Sequence, residues 1–336
     1  MEFFYNLNID WIGKKWYFIA LSFLLGTVGI VSLVAKGGPR YGIDFRGGTQ
    51  IHIQFQEAPS LDRVRAALGS QGLSNSTLQR FGPEANNEIL VALDLEATTE
   101  EDLDAGRQAI EEALHKEFGN AFEVRNVELV GPKVGAALRR KALSATLLGL
   151  ASMMIYIAFR FEWIYGFAAV VAALHDVVIA MGFLSLADRE LTLTVIAALL
   201  TLVGYSVNDT IVVFDRIREN VKLMRRQSIA EIVNRSINQT LSRTVLTSGL
   251  TFLVVLSLFL FGGEVLRGFS FTLVVGILVG TYSSIAIAST LVVSWQEYVN
   301  RDRRGGAVIP VEREPSKATR AKIGAGAKAM NRFAVL

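Results

Sequence analysis

Six predominantly apolar runs, each at least 18 residues long, constrain this chain more than anything else in it: Trp16–Ala35, Ala142–Phe159, Trp163–Ala187, Leu191–Phe214, Thr244–Gly263 and Gly268–Gln296. A helix rises 1.5 Å per residue, so about 20 apolar residues cross the roughly 30 Å of a bilayer's hydrocarbon core. Only 19% of the residues are charged and 51% are hydrophobic, against about 25% charged in a soluble domain. The class is a polytopic α-helical membrane protein with six transmembrane helices. The first run lies between Lys15 and Lys36 with no small-residue cleavage site after it, so it reads as an uncleaved span rather than a signal peptide.

The connections alternate. Those at Arg160–Glu162, Asp188–Glu190 and Glu264–Arg267 are short, while residues 215–243 form a long, basic cytoplasmic loop carrying Arg216, Arg218, Lys222, Arg225, Arg226, Arg235 and Arg243. With six spans, Lys14, Lys15, Arg301, Arg303 and Arg304 fall on the same side as that loop. The positive-inside rule then puts both termini in the cytoplasm. Arg139, Arg140 and Lys141 run against the rule, since they flank an outward end. The net charge of +3 also hides an asymmetry: Gly38 to Ala136 carries −7, leaving +10 elsewhere. An acidic outer block set into a basic membrane protein gives no footprint for nucleic acid.

That block, residues 37–136, has the pattern of one small α+β domain. Tyr41–Phe55 alternates as a strand, Ser60–Leu68 is helical, and Ser76–Phe81 and Glu88–Leu93 are strands around Gly82-Pro83. Thr98–Phe118 is a helix opening on a Thr98/Glu101 capping box, and Ala121–Val130 is the last strand. The order β-α-β-β-α-β predicts a ferredoxin-like domain. The division expected is 1–36, the N-terminus and first span; 37–136, the periplasmic domain; 137–297, a five-helix bundle; and 298–336, a basic disordered tail. In the loop, Ser228-x-x-Glu231 followed by Ile229, Val233 and Ile237 predicts a capped, short amphipathic helix on the membrane surface or docked on the bundle.

Charges at span depth direct the chemistry. Asp209, in the fourth run, sits six residues, or about 9 Å, inside the boundary set by Asp215. A carboxylate in hydrocarbon costs roughly 2.5–3.5 kcal/mol and needs a partner, a proton or a water path. Arg243 opens the next, antiparallel span and can reach similar depth. Asp176 lies near the middle of its span beside His175, and adjacent helical positions point about 100° apart, so these two are not expected to form one site. Asp176 either continues a relay or hydrogen-bonds small polar groups such as Thr201, Ser206 or Asn208; Asn208 and Ser206 are expected to make helix–helix polar contacts. Gly276-x-x-x-Gly280 offers close packing, internal or with a partner. There is no cysteine and only three scattered histidines, so thiolate chemistry is excluded, and no metal site or cofactor is expected. Gly47-Gly48 is not a phosphate loop, for the lysine and following helix are missing.

Five motifs in order, GIDFRGGTQ (Gly42–Gln50), GPKVG (Gly131–Gly135), LHD (Leu174–Asp176), GYSVNDTIVVFDRIREN (Gly204–Asn220) and SRTVLTS (Ser242–Ser248), resemble the SecF branch of the SecD/SecF family, within the RND superfamily. The resemblance runs from about Asn8 to Gln296. It implies a non-enzymatic auxiliary subunit of preprotein translocation in the cell inner membrane. Such a subunit pairs with SecD, acts with SecYEG, SecA and accessory YajC and YidC, and uses the proton-motive force on unfolded preproteins. It implies proton-relay roles for Asp209 and Arg243, with Asp176 a further candidate, and a periplasmic hinge at Asp44, Gly47 and Gly48. The outer domain is expected to meet emerging chain at an apolar groove or strand edge. The competing readings are half of a small-molecule exporter, an intramembrane enzyme, and a structural scaffold for SecD with static ion pairs.

Overall fold

The structure, a computed structural model, describes residues 8–74, 76–81, 86–93, 100–160, 163–224 and 226–305. Among the described residues, six helices are long and apolar enough to cross a membrane. They are α1 (Lys15–Ala35), α5 (Pro132–Arg160), α6 (Trp163–Leu186), α7 (Leu193–Leu223), α8 (Ile229–Phe261) and a last span made of α9 (Glu264–Ser283), a π-helical turn (Ser284–Ala288) and α10 (Ser289–Gly305). Among the described residues, those through Ser294 belong to one compact unit, and residues 295–305 fall in a second. The Thr98 cap, the Gly82-Pro83 turn, Arg225 and the tail beyond residue 305 lie outside the described residues.

Between α1 and α5 stands the α+β domain: α2 (Ile43–Arg46), β1 (Gly48–Phe55), α3 (Leu61–Gly69), β2 (Thr77–Phe81), β3 (Glu88–Leu93), α4 (Glu100–Phe118) and β4 (Phe122–Val130). The strand order is β2-β3-β1-β4 with every pairing antiparallel, the arrangement that a β-α-β-β-α-β order predicts. Alternation places Ile51, Ile53 and Phe55 on one face, against Val64 and Leu68 of α3 and Ile110 and Leu114 of α4. The opposite face is polar, with Gln50, His52, Gln79, Asn126 and Glu128 lining a cleft of about 740 Å³ that reaches the α6–α7 connection.

Three expectations need correction. Residues 41–46 are not part of the first strand: Ile43–Arg46 is a single helical turn, ended by Gly47 at φ 81°. Gly48 follows at φ 131°, a region where a side chain is strained. Residues 215–243 are not a loop. α7 continues to Leu223 because Val213, Phe214, Ile217 and Asn220 carry its buried face past the apolar run. The segment from Ser228 is capped as expected, with Glu231 N donating to Ser228 Oγ and Ser228 N donating to Glu231 Oε2. It is not a separate helix, however, but the first turns of the 33-residue α8. Side-chain amides fasten the two extensions together, Asn220 Nδ2 donating to Ser236 Oγ and Gln239 Oε1, both at 2.8 Å.

Within the bundle, α6, α7 and the last span are about half buried, while α1, α5 and α8 leave most of their apolar surface uncovered. α1 and α6 run in step. Gly29 meets Gly182 so closely that a Cβ on Gly182 would fall 2.4 Å from Gly29 Cα. One turn on, Ser32 Oγ and Ser185 Oγ are 2.8 Å apart, and beyond them Lys36 pairs with Asp188 at 3.1 Å. Gly276 and Gly280 pack α9 onto Leu202 and Ser206 of α7, so that motif makes a contact within the chain. At the other end, Asn234 and Asn238 of α8 hold residues 9–12. Asn234 Oδ1 accepts from the Trp11 and Ile12 amides, Asn238 Oδ1 accepts from the Ile9 amide, and both side-chain amides donate to Ile9 O.

Candidate functional site

The buried stripe of α7 runs Leu199, Leu202/Val203, Ser206, Asp209/Thr210, Val213, at the spacing that keeps one helical face toward the core. Asp209 is therefore carried inward by the same periodicity that buries its apolar neighbours, and it is only 2% exposed. Its Oδ2 accepts a hydrogen bond from Ser248 Oγ of α8 at 2.8 Å. The sequence does not single out that partner, because a serine in an apolar run is unremarkable until its helix's facing is known. Thr244, one turn earlier on the same face, is buried with its Oγ1 unpaired among the described residues.

Arg243 sits on another side of α8. It is exposed and makes no ion pair with Asp209 among the described residues. A static Asp209–Arg243 contact pair is thus absent from this arrangement.

The second buried carboxylate, Asp176 of α6, is fully enclosed. Ser206 Oγ donates to its Oδ2 at 2.5 Å, which selects Ser206 from the partners considered. His175 Nδ1 lies 2.9 Å from Asp176 Oδ1, correcting the expectation that these neighbours form no common site. The backbone directions diverge, but both side chains are long enough for their polar ends to meet. The His175 Nε2 is buried and unpaired among the described residues. A Cβ at Gly280 would come within 3.2 Å of Ser206 Cβ and 3.5 Å of Asp176 Oδ2, so the bare backbone of α9 closes this pocket.

Ser206 and Asp209 are three residues apart on one helix face, about 4.5 Å in rise. The result is a polar line through the bundle, His175–Asp176–Ser206 on one side and Asp209–Ser248 on the other. Asn208, by contrast, is exposed and makes no side-chain hydrogen bond among the described residues. The expected helix–helix contact is not found within the chain, because one step of 100° from Asp209 turns Asn208 to the outer face, with exposed Thr201 and Gly204.

Asp44 of α2 has a defined role: its Oδ2 accepts from the Leu193 amide, the first of α7, at 2.8 Å. Thr192 caps the same helix through Val195 N. Around it the backbone of residues 40–42 pairs with Leu191, Leu191 N donating to Arg40 O at 2.6 Å and Gly42 N to Leu191 O at 3.0 Å. Gly135 fits against Phe45 and Gly47, where a Cβ would meet Gly47 N at 3.1 Å. The GIDFRGG and GPKVG segments therefore meet at the head of α7, joining the α+β domain to the helix that bears Asp209. Nearby, Arg40 and Lys36 hydrogen-bond Asp188 and hold its carboxyl below the ordinary carboxylate value.

Residues 110–298 match the family described as Protein export membrane protein SecD/SecF, C-terminal, and residues 31–59 match the SecD/SecF GG motif. The Protein translocase subunit SecF of Koribacter versatilis is 45% identical, covering 96% of this chain and all of the relative. That of Calditerrivibrio nitroreducens is 47% identical over 85% of this chain and 93% of its own length. The chain belongs to the SecF family. Among solved structures, SecDF of Thermus thermophilus, described as a translocon-associated membrane protein, superposes with a TM-score of 0.78 at 42% identity over 87% of this chain. SecDF in the super-membrane-facing form gives 0.66 at 41% identity over 91%. The chain spans 39% and 41% of those two longer chains.

Proposed function

We propose that this protein is the SecF half of a SecD–SecF assembly that uses the proton-motive force to promote export of unfolded preproteins, in concert with SecYEG, SecA and the accessory YajC and YidC. It acts in the inner membrane with both termini cytoplasmic and residues 37–136 periplasmic; residues 137–297 form the membrane bundle and 298–336 a cytoplasmic tail. Asp209 is the proton carrier, Arg243 the cation that governs it, and Asp176 with Ser206 and His175 extends the polar path. No bond of the preprotein is made or broken.

The observation that carries this reading is a carboxylate buried in the bundle whose hydroxyl partner, Ser248, shares helix α8 with the exposed Arg243, which makes no ion pair with it among the described residues. A guanidinium that approaches and withdraws by a few ångströms alternately favours the charged and the neutral carboxyl, which is what uptake and release of a proton require. The exposed polar side chains Thr201 and Asn208 of α7 and Arg243 and Thr247 of α8 lie at span depth, where hydrocarbon is costly to face; they are the surface for SecD. Through Asp44 and the 42–48 turn, a shift of α7 is felt by the α+β domain, whose polar cleft and free β2 and β4 edges receive the emerging chain. The test is Arg243→Met, expressed with SecD. Assembly is retained and proton-gradient-dependent export is lost; normal export would reduce Arg243 to an interfacial anchor.

A further inference from the structure

A second cleft, of about 680 Å³, opens between α5 and the α6–α7 pair. α5 packs on α6 and on α2 but touches α7 only sparsely, so a gap is left between them. Its walls are apolar, formed by Leu143 and Leu150 of α5, Leu174 of α6, and Leu200 and Val203 of α7, and Tyr41 and Phe45 close its upper end. Arg139 and Arg140 line the mouth. Both are exposed, and neither makes a side-chain hydrogen bond or ion pair among the described residues. They belong to the basic cluster that contradicts the positive-inside pattern.

Depth and charge together define what fits. Arg139 and Arg140 precede the apolar run starting at Ala142 by two or three residues, about 3–5 Å of helix rise, which is headgroup level. From Ala142 to Leu150 the cleft descends about 12 Å, the hydrocarbon of one leaflet and not of two. A spanning peptide needs a groove of full depth, and a soluble anion does not need apolar walls. An acyl chain below a phosphate satisfies both features.

The geometry points to a binding site for an anionic phospholipid of the leaflet on the α+β-domain side, its acyl chain between α5 and α7 and its phosphate held by Arg139 and Arg140. The two arginines are thereby explained as ligands rather than as topological exceptions. A lipid wedged there also bears on α7, the helix that carries Ser206 and Asp209.

The experiment uses the chain co-purified with its SecD partner in nanodiscs of phosphatidylcholine doped with phosphatidylglycerol carrying a photoreactive acyl tail, or with the matching phosphatidylcholine probe. Adducts are mapped by mass spectrometry. Phosphatidylglycerol is expected to label the Leu143–Leu150 and Leu199–Val203 stretches at least tenfold more than phosphatidylcholine. The double variant R139Q/R140Q, at two exposed positions, should lose that preference roughly ten- to thirtyfold, the scale set by two headgroup-level cations, while R139K/R140K keeps most of it. Equal labelling by the two lipids, a preference unchanged in R139Q/R140Q, or Leu143→Cys crosslinking to a SecD helix in place of lipid would overturn the assignment.

Discussion

Replacing Gly182 by alanine adds one methyl group at the place where the bundle has least room for it. The new Cβ would stand 2.4 Å from Gly29 Cα, whereas ordinary contact begins near 3.4 Å, so α1 and α6 must part by about 1 Å. No flexible side chain can yield there, because both faces are backbone. Overpacking of this kind costs about 1–3 kcal/mol, which lowers the population of the close approach by roughly five- to 150-fold if all of it falls on this contact. The chain has no cysteine, so Ser32→Cys with Ser185→Cys makes a clean reporter: their hydroxyls lie 2.8 Å apart one turn from the glycine pair, within the range a disulfide can bridge after small adjustment. Mild oxidation should crosslink this pair efficiently in the parent and several-fold less in the Gly182→Ala background. Gly26→Ala, on the facing helix α1, is the control, since a Cβ there meets nothing within 4 Å, and it should leave crosslinking intact. If Gly182→Ala crosslinks as fast as Gly26→Ala, the glycine-to-glycine approach is wrong.

Three further outcomes can be checked together. Asp44→Ala removes the acceptor of the Leu193 amide and should cost about 1–2 kcal/mol of stability, the scale of a lost helix N-terminal acceptor with charge, read as an earlier denaturation midpoint in detergent. Asp188 is held low by Arg40 first and Lys36 second. Its stabilisation is therefore fully present above the unfolded value of 3.8 and lost as pH falls below it. At 58% side-chain exposure the whole effect is at most about 1 kcal/mol, and Asp188→Asn should flatten that part of the acid titration of stability. Asn234→Ala with Asn238→Ala frees the backbone of residues 9–12, so the Ile9, Trp11 and Ile12 amides should exchange with deuterium faster while mid-α8 amides keep their protection.

Much of this architecture can be read from the residues alone, because its causes are local. Long apolar runs dictate spans, and period-two alternation through Ile51, Ile53 and Phe55 dictates the buried face of β1. The helix extensions at the loop side are less legible. Between Asp215 and Arg243 the charges dominate the eye, and the thin buried line of Phe214, Ile217, Asn220, Val233 and Ile237 is visible only once α7 and α8 are seen to pack on each other. Tyr41–Arg46 misleads for a related reason. Its apolar residues alternate as in a strand, yet Asp44 is drawn to the head of α7, 149 positions away in sequence, and a helical turn results.

The candidate site divides in the same way. Asp209 and Asp176 stand out as charges in hydrocarbon. Ser248 does not, and Arg243's outward facing depends on the rotation of α8, which no residue type announces. Backbone direction alone does not bring His175 and Asp176 together; side-chain reach does. The close approaches at Gly29/Gly182 and Gly280 need two helices to be placed before either glycine has meaning. Arg243, without an ion pair among the described residues, fits the proposal that SecD covers this face.

On the proposed reading, Asp209 carries the proton that drives export. The direct measurement is preprotein translocation into sealed membrane vesicles containing SecD and either the parent chain or Asp209→Asn, with and without an uncoupler. One charge moved through 100 mV is worth about 2.3 kcal/mol, enough for a clear rate difference. With the parent, the imposed gradient should accelerate the late, gradient-dependent phase, and the uncoupler should abolish that gain. Asp209→Asn, assembled with SecD to parental levels, should show no gain with or without the uncoupler. Undiminished gradient-dependent acceleration in Asp209→Asn would contradict the account.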